Sequence, residues 1–513
     1  MTKPILDGNS INDFDEVPPN AASMLESMRA QGYSLSTAVA DLIDNSIAAD
    51  SSQIRIVSSF NGDHPWLAIC DDGRGMSEEE LRDAMRIGSR NPLELREPKD
   101  LGRFGLGLKT AAFSQARRLT VWSRKDGRQP AIRRWDLDHL AKVSGWQLLR
   151  APHAESASVI AGLTSDVQGN GTVVLLERMD RFGNGIEAIE SCLRHEFHLL
   201  RQHLAMVFHR YLSGEGVRKI SISQQGTSIE PWDPFCRNSN ATKTMPSDIR
   251  TMGSVSVVVK GYVLPHRDRF GTPAAHELAG GTNGWNAQQG FYLYRAGRLI
   301  VAGDWLGLGS PGRGWTKEEH YKLARLSIDI PNSVDANWQI DIKKSRGVAP
   351  PELVEWLTGK AREAREIAKQ VYAHRGRVLP QNRGGEPQET VWLSRTNVNG
   401  RMGCRVNRDH SLVRALGNRC PDDSKKALEA LLKLVEAHVP VQQIWIAAAE
   451  NQDGFTRPFD EEPVAELQEV LRECADALAR RGKTWNQVRA ALCSVPGFDS
   501  PTALALIANM QER

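Results

Sequence analysis

Three short stretches decide how this sequence folds: ADLIDNS at residues 40–46, DDGRGM at residues 71–76 and GRFGLGLK at residues 102–109. The first lies inside a helical pattern that extends from Ser36, the predicted N-cap, to Ala49. The second follows a strand pattern, and the third precedes a helix predicted from Gly107 to Gln115. Alternating helices and strands predict an α/β or α+β arrangement for this part of the chain.

The helical stretch carries two polar side chains on one face. Asp41 and Asn45 are four residues apart, so both side chains project from the same side of a helix. An amide oxygen can ligate a hard cation such as Mg²⁺, and a carboxylate can orient or deprotonate a water molecule. Such pairs are also common on ordinary helix surfaces, so this pair alone does not identify a site.

The two glycine-containing stretches permit a ligand to approach the backbone closely. After the strand, Gly73 and Gly75 allow a sharp turn, where an acidic side chain can accept hydrogen bonds from an exocyclic amine. In residues 102–109, glycines stand at the start of a helix, where free N–H groups and the helix dipole favour phosphate. Lys109 adds a positive charge there. The spacing matches neither a P-loop nor a dinucleotide fingerprint.

In their order and spacing, these stretches resemble the motifs of the GHKL ATPases, which include gyrase B-type topoisomerases, MutL, the large heat-shock chaperones and MORC proteins. The E-x-x-x-N helix motif of that family corresponds to residues 41–45, and its D-x-G-x-G motif corresponds to residues 71–75. Its G-x-x-G-x-G lid motif corresponds to residues 102–107, and a later G-T before a strand corresponds to residues 171–172.

The resemblance implies a role for each matched position. Asn45 is expected to hold Mg²⁺ between the phosphates, Asp71 to bind the adenine amino group, and residues 88–109 to form an ATP lid. The family's usual general base is a glutamate, whereas this chain has Asp41, which is one methylene shorter. The implied ligand-binding positions are Asn45, Asp71, Gly73, Gly75, Met76, Gly102, Arg103, Phe104, Gly105, Leu106, Gly107, Leu108, Lys109 and Thr172.

A second region resembles the transducer domain of MORC and MutL proteins. FYLYRAGRLI, at residues 291–300, is similar to a transducer strand, and residues 229–235 also resemble that domain. WQIDIKK, at residues 338–344, stands where gyrase and MutL transducers supply a lysine for the γ-phosphate. This position favours Lys343 over Lys344 as a second catalytic residue, and two ordinary surface lysines remain the alternative. The whole pattern is most similar to the bacterial MORC-like (paraMORC) proteins.

These features predict an α+β protein of four parts. An N-terminal arm over residues 1–20 precedes a GHKL ATP-binding domain, a Bergerat α/β sandwich, over residues 21–185. A transducer-like α/β domain of the ribosomal S5 type follows over residues 186–375. A mostly helical C-terminal domain without an assigned role completes the chain over residues 376–513.

Charge is unevenly distributed along the 513 residues. Residues 343–419 include 16 Lys and Arg against 7 Asp and Glu, a net charge of +9, whereas the whole chain carries +3. A segment of this kind is typical of a nucleic-acid footprint or of a solvated helix face, and both interpretations stay open. Its arginines beyond the helical pattern include Arg375, Arg377, Arg383, Arg395, Arg401, Arg405 and Arg408.

From the resemblance we expect an ATPase that uses ATP and Mg²⁺ and closes as a homodimeric clamp on DNA. Restriction or phage-defence operon proteins are expected as further partners, because paraMORC genes are associated with such clusters. The alternative is a chaperone-like or regulatory ATPase that acts on protein partners. A histidine kinase is disfavoured, since no dimerisation helices with a phosphoacceptor histidine precede Asp41.

Composition restricts the compartment and the kinds of site. Seven cysteines without a C-x-x-C pair argue against a disulfide framework and against a zinc site. No stretch approaches the roughly 20 apolar residues of a transmembrane helix. The N-terminus lacks the layout of a signal peptide. We therefore expect a cytoplasmic protein with no membrane partner.

Overall fold

In the computed structural model, the chain divides into two units, Met1–Val378 and Leu379–Arg513. Each buried hydrophobic cluster of the described residues is drawn from one unit. The structure describes residues 15, 17, 19–30, 32–59, 65–88, 107–143, 145–165, 167, 169–181, 186–253, 255–310, 313–331, 338–339, 347–373, 391–396, 402–440, 464–495, 498 and 500–510.

A mixed sheet organises the N-terminal part of the first unit. Its strands are β1 (Gln53–Ser59), β2 (Trp66–Asp71), β3 (Ala116–Arg124), β4 (Ala131–Asp136), β5 (Gly171–Met179), β6 (Ser221–Gln224) and β7 (Thr227–Ser228). In the described part of the chain, these seven strands lie in the order β4-β3-β5-β2-β1-β6-β7. The β1–β6 pair is parallel, and the other neighbours are antiparallel.

Helices cover both faces of this sheet. They are α1 (Ala21–Arg29), α2 (Leu35–Ala48), α3 (Glu78–Met85), α4 (Gly107–Gln115), α5 (Leu137–Leu140), α6 (Ala157–Thr164), α7 (Ile186–Val207) and α8 (His209–Ser213). On one face, α1, α2, α4 and α7 share a large apolar cluster with the strands. On the other, α6 contributes Ile160 and Leu163 to a smaller cluster with Trp122. The sheet is therefore the middle layer of a sandwich.

Capping residues set the start of α2, which contains the first motif stretch, and of α3, which follows the second. The Ser34 side chain accepts a hydrogen bond from the N–H of Thr37 at 3.2 Å, so α2 begins at Leu35. The predicted N-cap at Ser36 is wrong, because Ser36 is buried within the first turn. Helix α3 begins after Ser77, which forms a capping box with Glu80.

A second mixed sheet follows in the same unit. Its strands are β8 (Lys243–Thr244), β9 (Asp248–Met252), β10 (Val255–Val263), β11 (Gly290–Arg295), β12 (Arg298–Asp304) and β15 (Ala324–Ile330), while β13 (Gly309–Ser310) and β14 (Arg313–Gly314) form a separate pair. Among the described residues, the strand order is β12-β11-β15-β10-β8, and β9 also pairs with β10.

Three helices accompany the second sheet: α9 (Pro273–Gly280), α10 (Gly284–Ala287) and α11 (Pro351–Ala373). Helix α11 buries a stripe of small and aliphatic side chains in the core of this sheet. The buried apolar residues of this stripe, at helical spacing, are Leu353, Leu357, Ala361, Ala364, Ala368 and Val371.

The hairpin of β11 and β12 extends from the second sheet to helix α8. Its turn is formed by Ala296 and Gly297, which both have positive φ, 48° and 81°. The Tyr211 hydroxyl of α8 donates a hydrogen bond to the Ala296 carbonyl at 2.7 Å. A Cβ on Gly297 would lie 2.5 Å from Cγ1 of Val217, so glycine permits this close approach. The turn is therefore seated tightly beside α8.

The second unit is mostly helical in its described part. A hairpin of β16 (Trp392–Thr396) and β17 (Met402–Val406) precedes α12 (Ser411–Arg419), α13 (Asp422–Ala437), α14 (Val464–Ala479), α15 (Trp485–Ser494) and α16 (Pro501–Ala508). The last three helices share an apolar cluster. Both units together give an α+β protein, as predicted. The four-part division stays a prediction. Among the described helices, none combines the length and the apolar character that a membrane-spanning helix requires.

Candidate functional site

Residues from α2, from the end of β2 and from β5 meet at one place. Asp71, the last residue of β2, is opposite Thr172 on β5. Thr172 is in turn opposite Ser123 on β3. From α2, the Ser46 hydroxyl donates a hydrogen bond to Oδ2 of Asp71 at 2.8 Å. The structure thus brings together Asp71 and Thr172, which the sequence singled out separately.

Asp71 is buried at this junction and keeps capacity to accept hydrogen bonds. Its Oδ1 accepts a hydrogen bond from the N–H of Gly73 at 3.0 Å. Burial raises the pKa of Asp71, and the hydrogen bonds from Ser46 and Gly73 oppose that rise. An ionised carboxylate offers about four lone-pair sites, so the described hydrogen bonds leave room for a further donor such as an amine.

The neighbouring Asp72 has a different task. Its carboxylate accepts hydrogen bonds from the N–H groups of Ser52 and Gln53, at 2.7 and 2.8 Å, and from the Ser51 hydroxyl at 2.9 Å. Burial alone would raise the pKa of Asp72, but these hydrogen bonds outweigh it and lower the pKa. Asp72 therefore ties the turn after β2 to the start of β1.

Ser123 and Ser46 are site residues that the sequence did not single out. The N–H of Met76 donates to the Ser123 hydroxyl at 2.8 Å, and the hydroxyls of Ser123 and Thr172 lie 2.9 Å apart. Ser123 thereby joins the turn after β2 to β5. Only the register of three strands places it there, so a local sequence signal could not have found it. Ser46 does adjoin Asn45 in the first motif stretch.

Close backbone approach explains the glycines of the second motif stretch. Gly75 has φ +68°, and a Cβ there would lie 1.8 Å from the carbonyl oxygen of Arg124. A Cβ on Gly73 would lie 2.8 Å from the carbonyl oxygen of Ala49. The turn thus packs against β3 and against the end of α2 with no space for side chains.

Helix α2 presents an exposed amide within a buried segment. Between Ala38 and Ile47, Asn45 is the exposed position, while Asp41 and Asp44 are buried. The next residue along the helix, Ser46, is the hydrogen-bond partner of Asp71.

An arginine from the second sheet reaches the acidic residues of α2. Arg298, the first residue of β12, places Nε 3.0 Å from both carboxylate oxygens of Asp44. Its Nη2 lies 3.8 Å from Oδ1 of Asp41. No local pattern predicts this contact, because it joins residues 254 positions apart. The second sheet therefore contributes directly to the surroundings of Asp41.

Helix α4 begins at Gly107, next to α2, and provides the third predicted element of the site. Lys109 in its first turn is buried, and its Nζ donates a hydrogen bond to the Ala84 carbonyl at 2.8 Å. Burial lowers the pKa of Lys109 to about 8. Leu108 is half-buried and packs against the core. The ammonium group is thus held beside the helix start by α3.

Part of the predicted site lies outside the described residues: Gly102, Arg103, Phe104, Gly105, Leu106, Lys343 and Lys344. The described residues contain no group of three or more His, Cys, Asp or Glu side chains that could enclose a metal ion. Beside phosphates, Mg²⁺ usually takes one or two protein ligands and completes its shell with phosphate oxygens and water.

The basic segment is partly neutralised where the structure describes it. Arg408 forms ion pairs with Glu429 at 3.1 Å and with Glu436 at 2.5 Å. Arg365 of α11 is buried, and its guanidinium carbon lies 3.7 Å from the ring centre of Tyr321. Arg405 on β17 is exposed. Arg405 is thus exposed to solvent, as are Arg362, Arg414 and Arg419, whereas Arg365 is enclosed by the core.

Comparison with known proteins agrees with this geometry. Residues 33–169 match the family described as "Histidine kinase-, DNA gyrase B-, and HSP90-like ATPase". The chain is also 34% identical over 91 residues to a protein of Caenorhabditis elegans named ATPase morc-1. That similarity covers 18% of this chain and 10% of the nematode protein, so the chain matches about a tenth of that relative's length.

The turn after β2 provides a test of the site's packing. Gly75→Ala should destabilise the protein and displace the turn, because the added methyl group would meet the Arg124 carbonyl oxygen. Gly127→Ala is the matched control, since Gly127 has φ +66° and open space around its Cβ position. It should lose only the roughly 1 kcal/mol expected for a left-handed non-glycine residue. Equal losses in thermal unfolding would contradict the close packing at Gly75.

Proposed function

We propose that this chain, whose residues 33–169 belong to the GHKL ATPase superfamily and which is similar to a MORC ATPase over 91 residues, binds ATP with Mg²⁺ and hydrolyses it at the site described above. The observation that carries the proposal is the exposed Asn45 on an otherwise buried helix, beside the Ser46–Asp71 hydrogen bond. An amide suited to a cation thus stands next in sequence to the serine that holds a carboxylate suited to an amine.

The adenine end of the proposed site is formed by Asp71 and Thr172. The Asp71 carboxylate would accept a hydrogen bond from the exocyclic amine, and Thr172 would lie beside the base. Met76 and the glycines at positions 73 and 75 would line the turn over which the base rests. Ser46 and Ser123 hold these groups in place through their hydrogen bonds.

The phosphate end of the proposed site is formed by Asn45 and the start of α4. Asn45 would ligate Mg²⁺, which neutralises the phosphates when bound. The N–H groups at Gly107 and Leu108 would face the phosphates, as helix N-termini favour anions. Lys109 would supply a positive charge there, and residues 102–106 would complete the lid.

We assign the general base to Asp41. Its carboxylate lies one helical turn before Asn45, and it would orient and deprotonate the attacking water. Asp44 is less suited to this task, because both of its oxygens lie 3.0 Å from Nε of Arg298. The shorter side chain of Asp41 would approach the water less closely than the family's glutamate. Lys343 is proposed to contact the γ-phosphate.

At the level of the whole protein, we propose an ATP-gated homodimeric clamp that acts on DNA in the cytoplasm, in a restriction-like or phage-defence setting. The net charge of +9 over residues 343–419 and the exposed Arg405 support the choice of DNA. A chaperone-like or regulatory ATPase that acts on protein partners is the second candidate. DNA stimulation of ATP turnover distinguishes the two.

The assignment of the base and of the metal ligand predicts two different losses. Asp41→Ala should keep ATP affinity and lower the turnover rate by about 10²–10⁴-fold, because only the proton acceptor is removed. Asn45→Ala should instead weaken Mg²⁺-dependent ATP binding, because the proposed amide ligand is lost. Calorimetry with ATP and Mg²⁺, together with phosphate release, measures both effects. Wild-type turnover by Asp41→Ala would show that another group is the base.

The lowered pKa of Lys109 predicts a pH dependence of ATP affinity. The free protein loses the ammonium charge as pH rises through about 8, whereas bound phosphates favour the charged form. Affinity should therefore fall by about tenfold between pH 7 and pH 9. Lys109→Met should bind weakly with little change over this range, and the exposed control Lys142→Met should behave as wild type. A pH-independent wild type would remove Lys109 from the phosphate site.

The proposed DNA contact predicts a salt-dependent effect of charge reversal. Arg405→Glu should weaken DNA binding and flatten its dependence on salt concentration by a slope of about 1, with basal ATP turnover unchanged. Arg480→Glu, an exposed arginine outside residues 343–419, is the control and should bind as wild type. Wild-type protein that neither binds DNA nor is stimulated by it would favour the protein-partner alternative.

A further inference from the structure

Arg298 is fixed by several contacts at the heart of the first unit. Beside the two 3.0 Å contacts of its Nε with Asp44, its Nη1 donates a hydrogen bond to the Leu299 carbonyl at 2.8 Å. Its guanidinium carbon lies 5.7 Å from the ring centre of Phe208. Arg298, Asp44 and Asp41 are 3%, 2% and 5% exposed, so the three charges interact with little screening by solvent.

The nearby titratable groups His203 and Tyr211 carry no charge at neutral pH, whereas Arg298 is a cation beside Asp41 and Asp44. His203 of α7 is close, and burial, followed by the charge of Arg298, lowers the pKa of His203 to about 4. His203 is therefore uncharged at neutral pH. Tyr211, whose pKa burial raises to about 12, is also uncharged. The charges of Arg218, Arg298 and Arg295 act against that rise in the pKa of Tyr211.

The position of Arg298 depends on the seating of its hairpin. Arg298 directly follows Gly297, where a Cβ would lie 2.5 Å from Cγ1 of Val217. The preceding residue, Ala296, accepts the hydrogen bond from the Tyr211 hydroxyl. A shift of this turn away from α8 would therefore withdraw the guanidinium group from Asp44 and Asp41 together.

We propose that Arg298 is a positioning residue for Asp41, and that it makes ATP hydrolysis depend on the seating of the β11–β12 hairpin beside α8. Arg298 anchors Asp44 through Nε and faces Asp41 with Nη2, so it fixes both the orientation and the charged surroundings of the base. This assignment rests on the proposed function, in which Asp41 is the base. An aspartate is short, so its placement relative to the water depends strongly on such a contact.

Two substitutions of Arg298 separate charge from geometry. Both should retain ATP affinity, because the contacts described for Arg298 are with Asp44, Asp41, Leu299 and Phe208, and none of these is a position proposed to bind the nucleotide. Arg298→Met should lower kcat by about 10–100-fold and move the acid limb of the kcat–pH profile to higher pH, since a nearby cation favours the ionised carboxylate. Arg298→Lys keeps a charge without the planar fork, so kcat should fall while the acid limb stays close to wild type.

A second pair of variants tests the hairpin seating without touching any charge. Gly297→Ala would place a methyl group against Val217 and should lower kcat at unchanged ATP affinity. Gly226→Ala is the matched control, because Gly226 has φ +74° at the turn between β6 and β7 and open space at its Cβ position. Alanine at position 226 would have the same left-handed strain without a steric contact, so this variant should keep wild-type turnover.

Phosphate release, nucleotide calorimetry and thermal unfolding of the full chain decide the outcome. If wild type does not hydrolyse ATP, the proposed function is wrong and this assignment is overturned with it. If wild type hydrolyses ATP but Arg298→Lys retains wild-type kcat, the positioning role alone is overturned, and this holds even where Arg298→Met fails to fold. An unmoved acid limb in a folded Arg298→Met protein, or equal kcat of the Gly297 and Gly226 variants, would equally contradict it.

Discussion

The structure depends on a helix, α2, that is enclosed by the core and yet bears polar side chains in its second half. Buried carboxylates without partners cost several kcal/mol each, so α2 is stable only when other elements supply matching groups. Arg298 of the second sheet pairs with Asp44, and Ser46 donates to Asp71 at the end of β2. The helix thus joins both sheets of the first unit through charge and hydrogen bonding.

A second constraint comes from the register of three neighbouring strands. Asp71, Thr172 and Ser123 lie opposite one another on β2, β5 and β3, and a slip of one residue would turn each side chain to the other face. The turn after β2 then has to pass close to β3, which is possible only with glycine at position 75. The arrangement of Asp71, Thr172 and Ser123 is therefore a consequence of sheet register and not of one loop.

The sequence predicted the parts of this arrangement that are local. Helix α4 spans Gly107–Gln115 as expected from its pattern, and the superfamily indicated by the three motif stretches is confirmed by the match over residues 33–169. Contacts between distant segments could not be predicted. Nothing local indicates that Arg298 pairs with Asp44, or that Lys109 is buried against the carbonyl of Ala84. Such features arise from tertiary packing, which no short pattern encodes.

In the proposed function, the carboxylate of Asp71 binds the adenine amine, while its neighbour Asp72 only holds the turn. Calorimetry of ATP binding to Asp71→Asn and Asp72→Asn tests this claim directly. A charge-assisted hydrogen bond contributes about 1.5–3 kcal/mol, so Asp71→Asn should bind ATP roughly 10–150-fold more weakly than wild type. Asp72→Asn should keep ATP affinity close to that of wild type. Equal affinities of wild type and Asp71→Asn, or a larger loss in Asp72→Asn, would contradict the claim.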